Sequence, residues 1–363
     1  MHITLAGLEF RRLHVPSRID AEDAADFHAM VDVRNAIYRE ISGHDDHSIA
    51  AAELLPHYAP NDFERRMPWL ILLDGRAVGR VGVDLPAEEG SRVAYVLIEL
   101  LRDVWGQGIG TAALEVAEHV ARENGRSVLQ SWAEHPDAPG PRLEPPTGFG
   151  SIPADDHSAR WYVANGFALE QIERNSTFEL SGSFDEVERL LALARAASAD
   201  YRVVQWFAPT PPEFVDGYAW MKSRMATDAP AAALEFDEET WNAERIALHD
   251  SRYTTSGRTI HVTAAQHIET GELCAFNELV IGADRTKASH QEDTLVLKHH
   301  RGHRLGMLVK CENLLAWRSI APDSPRVMTY NAEENRPMLD INEAIGFVPI
   351  AYEGAWKKVL DQA

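Results

Sequence analysis

Trp105-Gly106-Gln107-Gly108-Ile109-Gly110-Thr111 follows an apolar run from Val93 to Leu101. The run predicts a buried strand, and the apolar spacing that follows predicts an amphipathic helix from Ile109 to Glu123. A strand that passes through closely spaced glycines into a helix exposes backbone N–H groups at the positive end of the helix dipole. A Cβ at these positions would hold a ligand away from the backbone. The segment therefore predicts a binding site for the phosphates of a cofactor.

The loop lacks the features of two common nucleotide sites. Gly110 is followed by Thr111 and Ala112 instead of the Gly-Lys-Ser/Thr ending of a nucleoside-triphosphate loop. Gly106 and Gly108 have the first spacing of a dinucleotide fingerprint, but no acidic residue closes a second strand about 20 residues later. A plain tight turn is the alternative interpretation of so short a glycine cluster.

A second motif lies further along the chain, at residues 156–167. Asp156 begins a segment that predicts a short capped helix, which ends at Asn165-Gly166 and passes into a strand at Phe167. Tyr162 lies within this helix, one turn before Gly166. A glycine-rich turn that opens one helix is thus followed by a helix ending Tyr-x-x-x-Gly-Phe.

This pair of motifs resembles the GNAT superfamily of acyl-CoA-dependent N-acetyltransferases. The family's loop has the form Arg/Gln-x-x-Gly-x-Gly/Ala, and Gly108 and Gly110 stand at its glycine positions. Trp105 stands where Arg or Gln is usual. That departure affects the side-chain contacts that close the loop, whereas the backbone donors need only the glycines.

The resemblance occurs twice, because residues 294–306 and 329–347 repeat both motifs. Two copies separated by roughly 190 residues predict a duplicated domain instead of a short-period solenoid. A tandem of this kind resembles mycothiol synthase and related two-domain acetyltransferases. The resemblance implies an α/β (α+β) fold of two GNAT-like domains, each with a mixed, mostly antiparallel central sheet flanked by helices. We expect these domains at residues 1–182 and 201–363, joined by a linker helix at 183–200.

Length and composition agree with two cytoplasmic globular domains. The chain has 363 residues, of which 45% are hydrophobic. No apolar run approaches the ~20 residues that cross a bilayer. The net charge of −21 disfavours nucleic acid and acidic membrane surfaces as partners and is compatible with a cationic amine substrate, although solubility also explains it. The only two cysteines, Cys274 and Cys311, lie in apolar surroundings and are expected to be reduced core thiols.

The resemblance implies direct transfer, in which an amine attacks the thioester of acetyl-CoA within a ternary complex. It assigns Tyr162 as the acid that protonates the departing thiolate, with aromatic packing as the alternative role. Glu99, at the end of a strand, is the candidate base, and Glu134 and His135 are further candidates. The residues expected to bind acetyl-CoA in the first domain are Leu100, Leu101, Gly106, Gln107, Gly108, Ile109, Gly110 and Thr111.

The second domain departs further from the family pattern. Arg304 occupies the position of the middle glycine, and Asn342 stands in the place of Tyr162. Neighbouring histidines make this loop basic, but side chains that adjoin at the start of a helix cannot all face one ion, so we expect phosphate contacts and no metal. The residues expected to bind acetyl-CoA here are Val296, Leu297, Arg301, Gly302, His303, Arg304, Leu305, Gly306 and Asn331.

Three alternatives stay open from the sequence. Catalysis belongs either to the first domain, which we favour for its three glycines and Tyr162, or to the second, as the resemblance to mycothiol synthase implies. A non-catalytic acyl-CoA sensor is the third alternative. The acceptor, a primary amine of a small molecule or a peptide, has no readable signature, and a monomer and a homodimer are both compatible with the sequence.

Overall fold

The computed structural model describes residues 6–228 and 230–361. In chain order the strands are β1 (Leu8–Arg12), β2 (Glu64–Leu73), β3 (Arg76–Pro86), β4 (Val93–Leu100), β5 (Val128–His135), β6 (Arg142–Leu143), β7 (Ile152–Pro153), β8 (Ala168–Glu179), β9 (Tyr201–Phe207), β10 (Thr259–His267), β11 (Leu273–Ile281), β12 (Ser289–Val296), β13 (Arg326–Ala332) and β14 (Val348–Val359). The helices are α1 (Ala25–Ser42), α2 (Ala51–Tyr58), α3 (Ile109–Glu123), α4 (His157–Ala164), α5 (Asp185–Ala197), α6 (Pro212–Asp228), α7 (Ala243–Thr254), α8 (Leu305–Ile320) and α9 (Arg336–Ile345).

The chain divides into two compact units that are not contiguous in sequence. The first contains the described parts of residues 1–173, 231–237 and 351–363. The second contains the described parts of residues 174–230 and 238–350. The domain boundaries expected from the sequence stay a prediction, but contiguous segments do not describe these units.

The first unit has a mixed sheet with helices on both faces. Its strand order is β1-β2-β3-β4-β5-β14-β8, with β4 and β5 parallel. The pairs β1–β2, β2–β3, β3–β4 and β5–β14 are antiparallel. One apolar core lies on the α3 and α4 face of the sheet, and a smaller one packs β2 against α1 and α2. Two layers of helix thus bury both faces of the sheet.

The second unit repeats this plan. Its strand order is β8-β13-β12-β11-β10-β9, with β12 and β13 parallel. One core packs the sheet against α5 and α8, and another packs it against α6 and α7. Together the two units confirm the predicted α/β class with mixed, mostly antiparallel sheets.

Each unit completes its sheet with a strand from elsewhere in the chain. In the first unit, the strand beside β5 is residues 352–359 of β14, in register from Tyr352 opposite His135 to Val359 opposite Val128. In the second unit, residues 174–179 of β8 lie beside β13. This pairing removes an exposed strand edge from β5 and brings C-terminal side chains into the first unit.

Local sequence signals were mostly correct. The predicted helix Ile109–Glu123 is α3. The proline-rich segment 135–153 contains the short paired strands β6 and β7. Asn335 stands at the start of α9, and its side chain makes no capping hydrogen bond.

Two further expectations concern the cysteines and the membrane. Cys274 and Cys311 are both free and buried. Within residues 6–228 and 230–361, no helix combines the length and the apolar character that a membrane span requires.

Candidate active site

The first unit contains a gap between two parallel strands. β4 and β5 pair only where Val93–Tyr95 lies beside Val128–Gln130, although both strands continue beyond these residues. On its other side, β4 stays paired with β3 as far as Leu100. The edge of β4 that faces β5 therefore has backbone groups available to an extended ligand.

The glycine-rich loop lies between the end of β4 and the start of α3. Gly106 and Gly108 both have positive φ, and Gly108 precedes α3 without any side-chain cap. The first amides of α3 therefore point out of the helix with no intrahelical acceptor. A Cβ on Gly110 would lie 3.1 Å from the indole nitrogen of Trp161, so α4 approaches closely here. The predicted backbone nest is present at this helix N-terminus.

Trp105 closes this loop. Its indole nitrogen donates to the carbonyl oxygen of Leu100 at 3.0 Å. The indole ring also stacks on His157, with centroids 4.4 Å apart and planes inclined by 8°. Trp105 therefore supplies a loop-closing hydrogen bond from the position at which the family usually has Arg or Gln.

The end of β4 differs in detail from the expectation that Leu100 and Leu101 bind pantetheine. The Leu101 N–H donates to Val78 at 2.9 Å, and the Leu100 carbonyl accepts from Trp105. Both groups are thus engaged within the protein. Backbone groups earlier on the β4 edge are the better candidates for pantetheine contacts.

Tyr162 lies at the same gap, on α4. Its hydroxyl is 2.7 Å from Ser131 Oγ, which belongs to β5 just beyond the last β4 pair. The phenol ring stacks on Trp356, with centroids 4.7 Å apart and an angle of 7°. Burial raises the pKa of Tyr162 against the opposing effect of the Ser131 hydrogen bond, and Glu353 and Glu99 raise it further. The hydroxyl is therefore protonated at neutral pH and able to donate a hydrogen bond.

Asp156 and His135 hold α4 in place. Asp156 Oδ2 caps the helix by accepting from the Ala159 N–H at 3.0 Å and lies 2.8 Å from His135 Nδ1. The Trp356 indole donates to His135 Nε2 at 3.2 Å, so Nδ1 carries the proton that faces Asp156. Both nitrogens of His135 are occupied, which makes this residue a structural support and not an available base.

Glu99 forms an ion pair with Arg80. Its Oε2 accepts from Arg80 Nε at 2.6 Å, and both side chains are almost buried. Arg80 also donates to the Tyr58 hydroxyl at 3.3 Å. One oxygen of the predicted base is thus occupied by a guanidinium.

Two other carboxylates lie on the same sheet face. Glu134 of β5 and Glu353 of β14 are direct partners in the strand register. Neither side chain has a hydrogen bond or ion pair within the part of the chain that the structure describes. Burial raises the pKa of Glu134. Burial, together with Glu173, Glu134 and Glu99, raises the pKa of Glu353 well above its usual value.

Glu353 was not identified from the sequence. It lies near the C-terminus in an ordinary strand, and only the pairing of β14 with β5 brings it to this site. No local motif signals that pairing. Glu134, in contrast, was among the candidates because it follows the neighbouring strand.

The second unit has the same gap and a modified loop. β12 and β13 pair only at Ser289–His290 with Val327–Met328. Arg304 precedes α8 with a φ of 58°, the left-handed conformation that Gly108 adopts before α3. Arg301 Nε donates to the Val296 carbonyl at 3.3 Å, and the Leu297 N–H donates to Cys274 at 2.9 Å.

The histidines of this loop are engaged mainly with Glu272. His299 Nε2 and His300 Nε2 lie 3.4 and 3.2 Å from its carboxylate oxygens, and His300 Nδ1 is 2.8 Å from the Tyr201 hydroxyl. Two of the side chains expected to make the loop basic are therefore paired with an acid. Glu272, Cys274 and His300 bring potential metal ligands within 4.8 Å of one another. The absence of a metal stays a prediction.

A buried polar chain replaces the tyrosine in the second unit. Lys310 Nζ donates to Asn342 Oδ1 at 2.7 Å, and Asn342 Nδ2 donates to Asn331 Oδ1 at 2.7 Å. Lys310 is fully buried, and burial lowers its pKa to about 7. Asn331, expected to bind the cofactor, thus uses its amide oxygen within the protein.

Comparisons with known proteins agree with this geometry. Residues 28–139 match the family model described as Acetyltransferase (GNAT) family. This range contains the gap between β4 and β5, the glycine-rich loop and α3. Residues 28–139, which belong to the first unit, are thus similar to this family. Acetyl transfer is the activity of this family, and among curated proteins no sequence match reaches significance.

Solved structures extend the likeness to the whole chain. A tandem GNAT protein from the clavulanic acid biosynthesis pathway is 23% identical, with a TM-score of 0.73 over 98% of this chain and 99% of that one. A GCN5-related N-acetyltransferase from Sphaerobacter thermophilus is 12% identical, with a TM-score of 0.59 over 99% and 98%. A putative acetyltransferase from Pyrococcus horikoshii is 10% identical, with a TM-score of 0.54 over 99% and 92%. Because the sequence identities are below 25%, these structures show the fold alone: each unit has a GNAT fold, and the chain has the tandem arrangement.

The two GNAT units differ on the sheet face opposite α3 and α8. In the second unit, Lys222 lies there buried, with Nζ 3.1 Å from Glu278 Oε1 and 2.6 Å from Asp293 Oδ2. Tyr218 donates a further hydrogen bond to Glu278. In the first unit, Arg80 pairs with Glu99 on the corresponding face, whereas Glu134 and Glu353 have no hydrogen bond or ion pair within residues 6–228 and 230–361. The first unit thus presents a carboxylate pair that, among the described residues, has no cation bound to it.

Proposed function

We propose that the protein is an N-acetyltransferase that moves the acetyl group of acetyl-CoA to a primary amine of a small molecule or peptide, and that the first unit is catalytic. One observation carries this proposal. At the ends of β4 and β5, the first unit combines an open amide nest, a buried tyrosine hydroxyl and an uncompensated pair of carboxylates. Each group matches one requirement of acetyl transfer to an amine.

Cofactor binding follows from the loop and the strand gap. The nest from Gly106 to Thr111 would bind the pyrophosphate, since its amides and the dipole of α3 favour negative charge without a basic side chain. The exposed edge of β4 would bind the pantetheine arm by backbone hydrogen bonds. This arrangement directs the thioester toward Ser131 and Tyr162.

The acceptor would enter from the sheet face that carries the carboxylates. An alkylamine arrives as its ammonium ion, which the net charge of −21 and the Glu134–Glu353 pair attract. A carboxylate with a raised pKa is a better base at neutral pH than an ordinary one. We assign proton removal to this pair, directly or through water, and an electrostatic role to Glu99.

Attack then proceeds without a covalent enzyme intermediate. The nitrogen lone pair adds to the thioester carbonyl, and the carbonyl electrons move to oxygen to form a tetrahedral oxyanion. The oxyanion collapses, the C–S bond breaks, and CoA leaves as a thiolate. Tyr162 would donate its hydroxyl proton to the sulfur. Nitrogen loses two protons in all: the carboxylate pair takes the one lost before attack and passes it to solvent, and the one lost after attack replaces the proton of Tyr162.

The second unit differs from the first at each of these groups, which supports a scaffold role. Arg304 stands before α8 in place of a glycine, and Asn342 stands in place of the tyrosine. The Lys222 ion cluster lies on the sheet face that corresponds to the acceptor face of the first unit. We therefore assign no catalytic step to this unit.

Matched substitutions at the two helix N-termini test the proposal. Gly108 and Arg304 hold corresponding positions with positive φ. We would titrate acetyl-CoA calorimetrically into Gly108→Asp and Arg304→Asp, with Gly108→Asn and Arg304→Asn as uncharged controls that also tolerate this conformation. Gly108→Asp should weaken binding about tenfold or more through repulsion of the phosphates, well beyond the effect of Gly108→Asn.

The variant that loses acetyl-CoA binding shows which of the two units is catalytic. Arg304→Asp should leave binding and turnover near the wild-type values. A loss of acetyl-CoA binding and of amine acetylation in Arg304→Asp alone would move catalysis to the second unit. Tight acetyl-CoA binding with no CoA release for any amine would favour a sensor.

A further inference from the structure

The segment 231–237 belongs to the first unit, although α6 and α7 on either side of it belong to the second. We call this segment the strap. The side chain of Gln130, fully buried on β5, binds the backbone of the strap through two hydrogen bonds. Its Nε2 donates to the Glu235 carbonyl at 3.0 Å, and its Oε1 accepts from the Glu235 N–H at 2.5 Å. Such paired amide bonds fix both the position and the orientation of the strap.

Charged contacts hold the strap as well. The Glu235 carboxylate lies 3.1 Å from Arg92 and 2.8 Å from Lys357. Lys357 also donates to the Ala233 carbonyl at 2.7 Å. The strap is therefore attached to β5 and β14, the two strands that carry Glu134 and Glu353.

Phe236 extends from this attached backbone to form an aromatic wall. Its ring centroid is 6.5 Å from Tyr95 and 6.4 Å from Trp132, and these two rings are 5.9 Å apart. Separations of this size are those of interacting aromatic side chains. The Phe236 side chain nevertheless stays 39% exposed, so an entering molecule can reach it.

The wall leads to the carboxylate pair. Trp132 and Glu134 are alternate residues of β5 and therefore point from the same face of the sheet, about 7 Å apart along the strand. The Trp132 indole nitrogen donates to Glu173 at 2.9 Å, and Glu173 is one of the carboxylates that raise the pKa of Glu353. Acidic and aromatic surfaces thus adjoin on one face.

We infer that the acceptor is a primary amine that carries a planar apolar group about 7 Å from its nitrogen, and that Phe236 of the strap selects for this group. The nitrogen lies at Glu134 and Glu353, and the planar group lies against Trp132 and Phe236. Aromatic contact and burial of apolar surface favour such a ligand over a bare alkylamine. The inference rests on the proposed acetyl transfer in the first unit.

Three amines test this geometry. 4-Phenylbutylamine places its ring at the required distance, butylamine lacks the ring, and benzylamine places the ring too close to the nitrogen. For each we would measure binding by calorimetry in saturating CoA and, separately, acetylation with acetyl-CoA. The wild type should bind and acetylate 4-phenylbutylamine about tenfold better than either of the others.

Substitutions assign the preference to Phe236. Phe236→Ala should abolish the advantage of 4-phenylbutylamine while leaving the kcat/KM for butylamine within about twofold of the wild type, and Phe236→Tyr should retain the advantage. Phe207, a phenylalanine of the second unit that is 49% exposed, provides the matched control, since Phe207→Ala should change neither value. An undiminished preference in Phe236→Ala overturns the inference.

The two readouts separate this inference from the proposed function. Equal acetylation of all three amines would overturn the inference and leave acetyl transfer standing. A binding preference that depends on Phe236, without CoA release, would overturn acetyl transfer and leave the aromatic site standing. Absence of binding by any of the amines would also overturn the inference.

Discussion

The indole nitrogen of Trp105 donates to the carbonyl of Leu100, the last residue of β4, at 3.0 Å. Arg301 Nε makes the corresponding contact with Val296, the last residue of β12, at 3.3 Å. Two different side chains thus close the two loops in the same way. The shared requirement is a nitrogen donor that reaches back to the end of the strand.

Loss of the Trp105 indole donor should weaken the binding of acetyl-CoA at the glycine-rich loop of the first unit. Trp105→Phe keeps an aromatic ring beside His157 but removes the hydrogen bond to Leu100. Because one net hydrogen bond contributes about 1 kcal/mol, we expect the Kd for acetyl-CoA to rise about fivefold. Trp105→Arg, which restores a nitrogen donor, should recover most of the affinity in a calorimetric titration. Equal affinity for Trp105→Phe and the wild type would show that the contact does not support the nest.

Tyr162→Phe should affect turnover much more than affinity. The substitution keeps the ring that stacks on Trp356 and removes the hydroxyl that would protonate the thiolate. Acid catalysis of this kind contributes about 100-fold or more, so kcat should fall by that order while the KM for acetyl-CoA changes little. Tyr201→Phe, which removes a hydroxyl in the second unit, is the control in the same steady-state assay. A kcat near the wild-type value would leave Tyr162 only its packing role.

Glu353→Gln should lower the rate of acetylation and raise the stability of the folded protein at pH 7. The raised pKa of Glu353 means that the folded state retains a proton that the unfolded state releases above about pH 4.5. Wild-type stability therefore falls relative to the variant as the pH rises from 4.5 toward 7, and the variant should have the higher melting temperature at pH 7. At pH 4 the difference should shrink, because both states then hold the proton.

The same variant should lose the acidic limb of the pH–rate profile. In the wild type, kcat/KM should fall as the pH decreases through the raised pKa of the carboxylate pair. In Glu353→Gln the rate should be lower throughout, and its remaining pH dependence should come from Glu134 and the amine itself. An unchanged profile would exclude Glu353 as the proton acceptor.

Local and non-local features differ in how far the sequence predicts them. α3 begins and ends where its glycines and apolar spacing indicate, because a helix N-terminus and an amphipathic face are encoded by neighbouring residues. The positions of Glu353 and of the strap cannot be predicted from neighbouring residues, because they depend on contacts between residues far apart in the chain. The Trp105 contact is an intermediate case: the departure from the family pattern was visible, whereas its donor role required the loop's three-dimensional path.

Lys310 makes a pH-dependent prediction for the second unit. Burial lowers its pKa to about 7, so between pH 7 and about 10.5 the unfolded state binds a proton that the folded state lacks. Its contribution to stability therefore increases as the pH rises through that range, by up to about 1.4 kcal/mol per pH unit. Lys310→Met removes this slope and leaves Asn342 without its donor, which adds a constant loss. Chemical denaturation at pH 7, 8 and 9 should thus show the wild type gaining stability relative to Lys310→Met, with Lys287→Met as the exposed control. A difference that does not change with pH would mean that Lys310 is protonated in the folded protein.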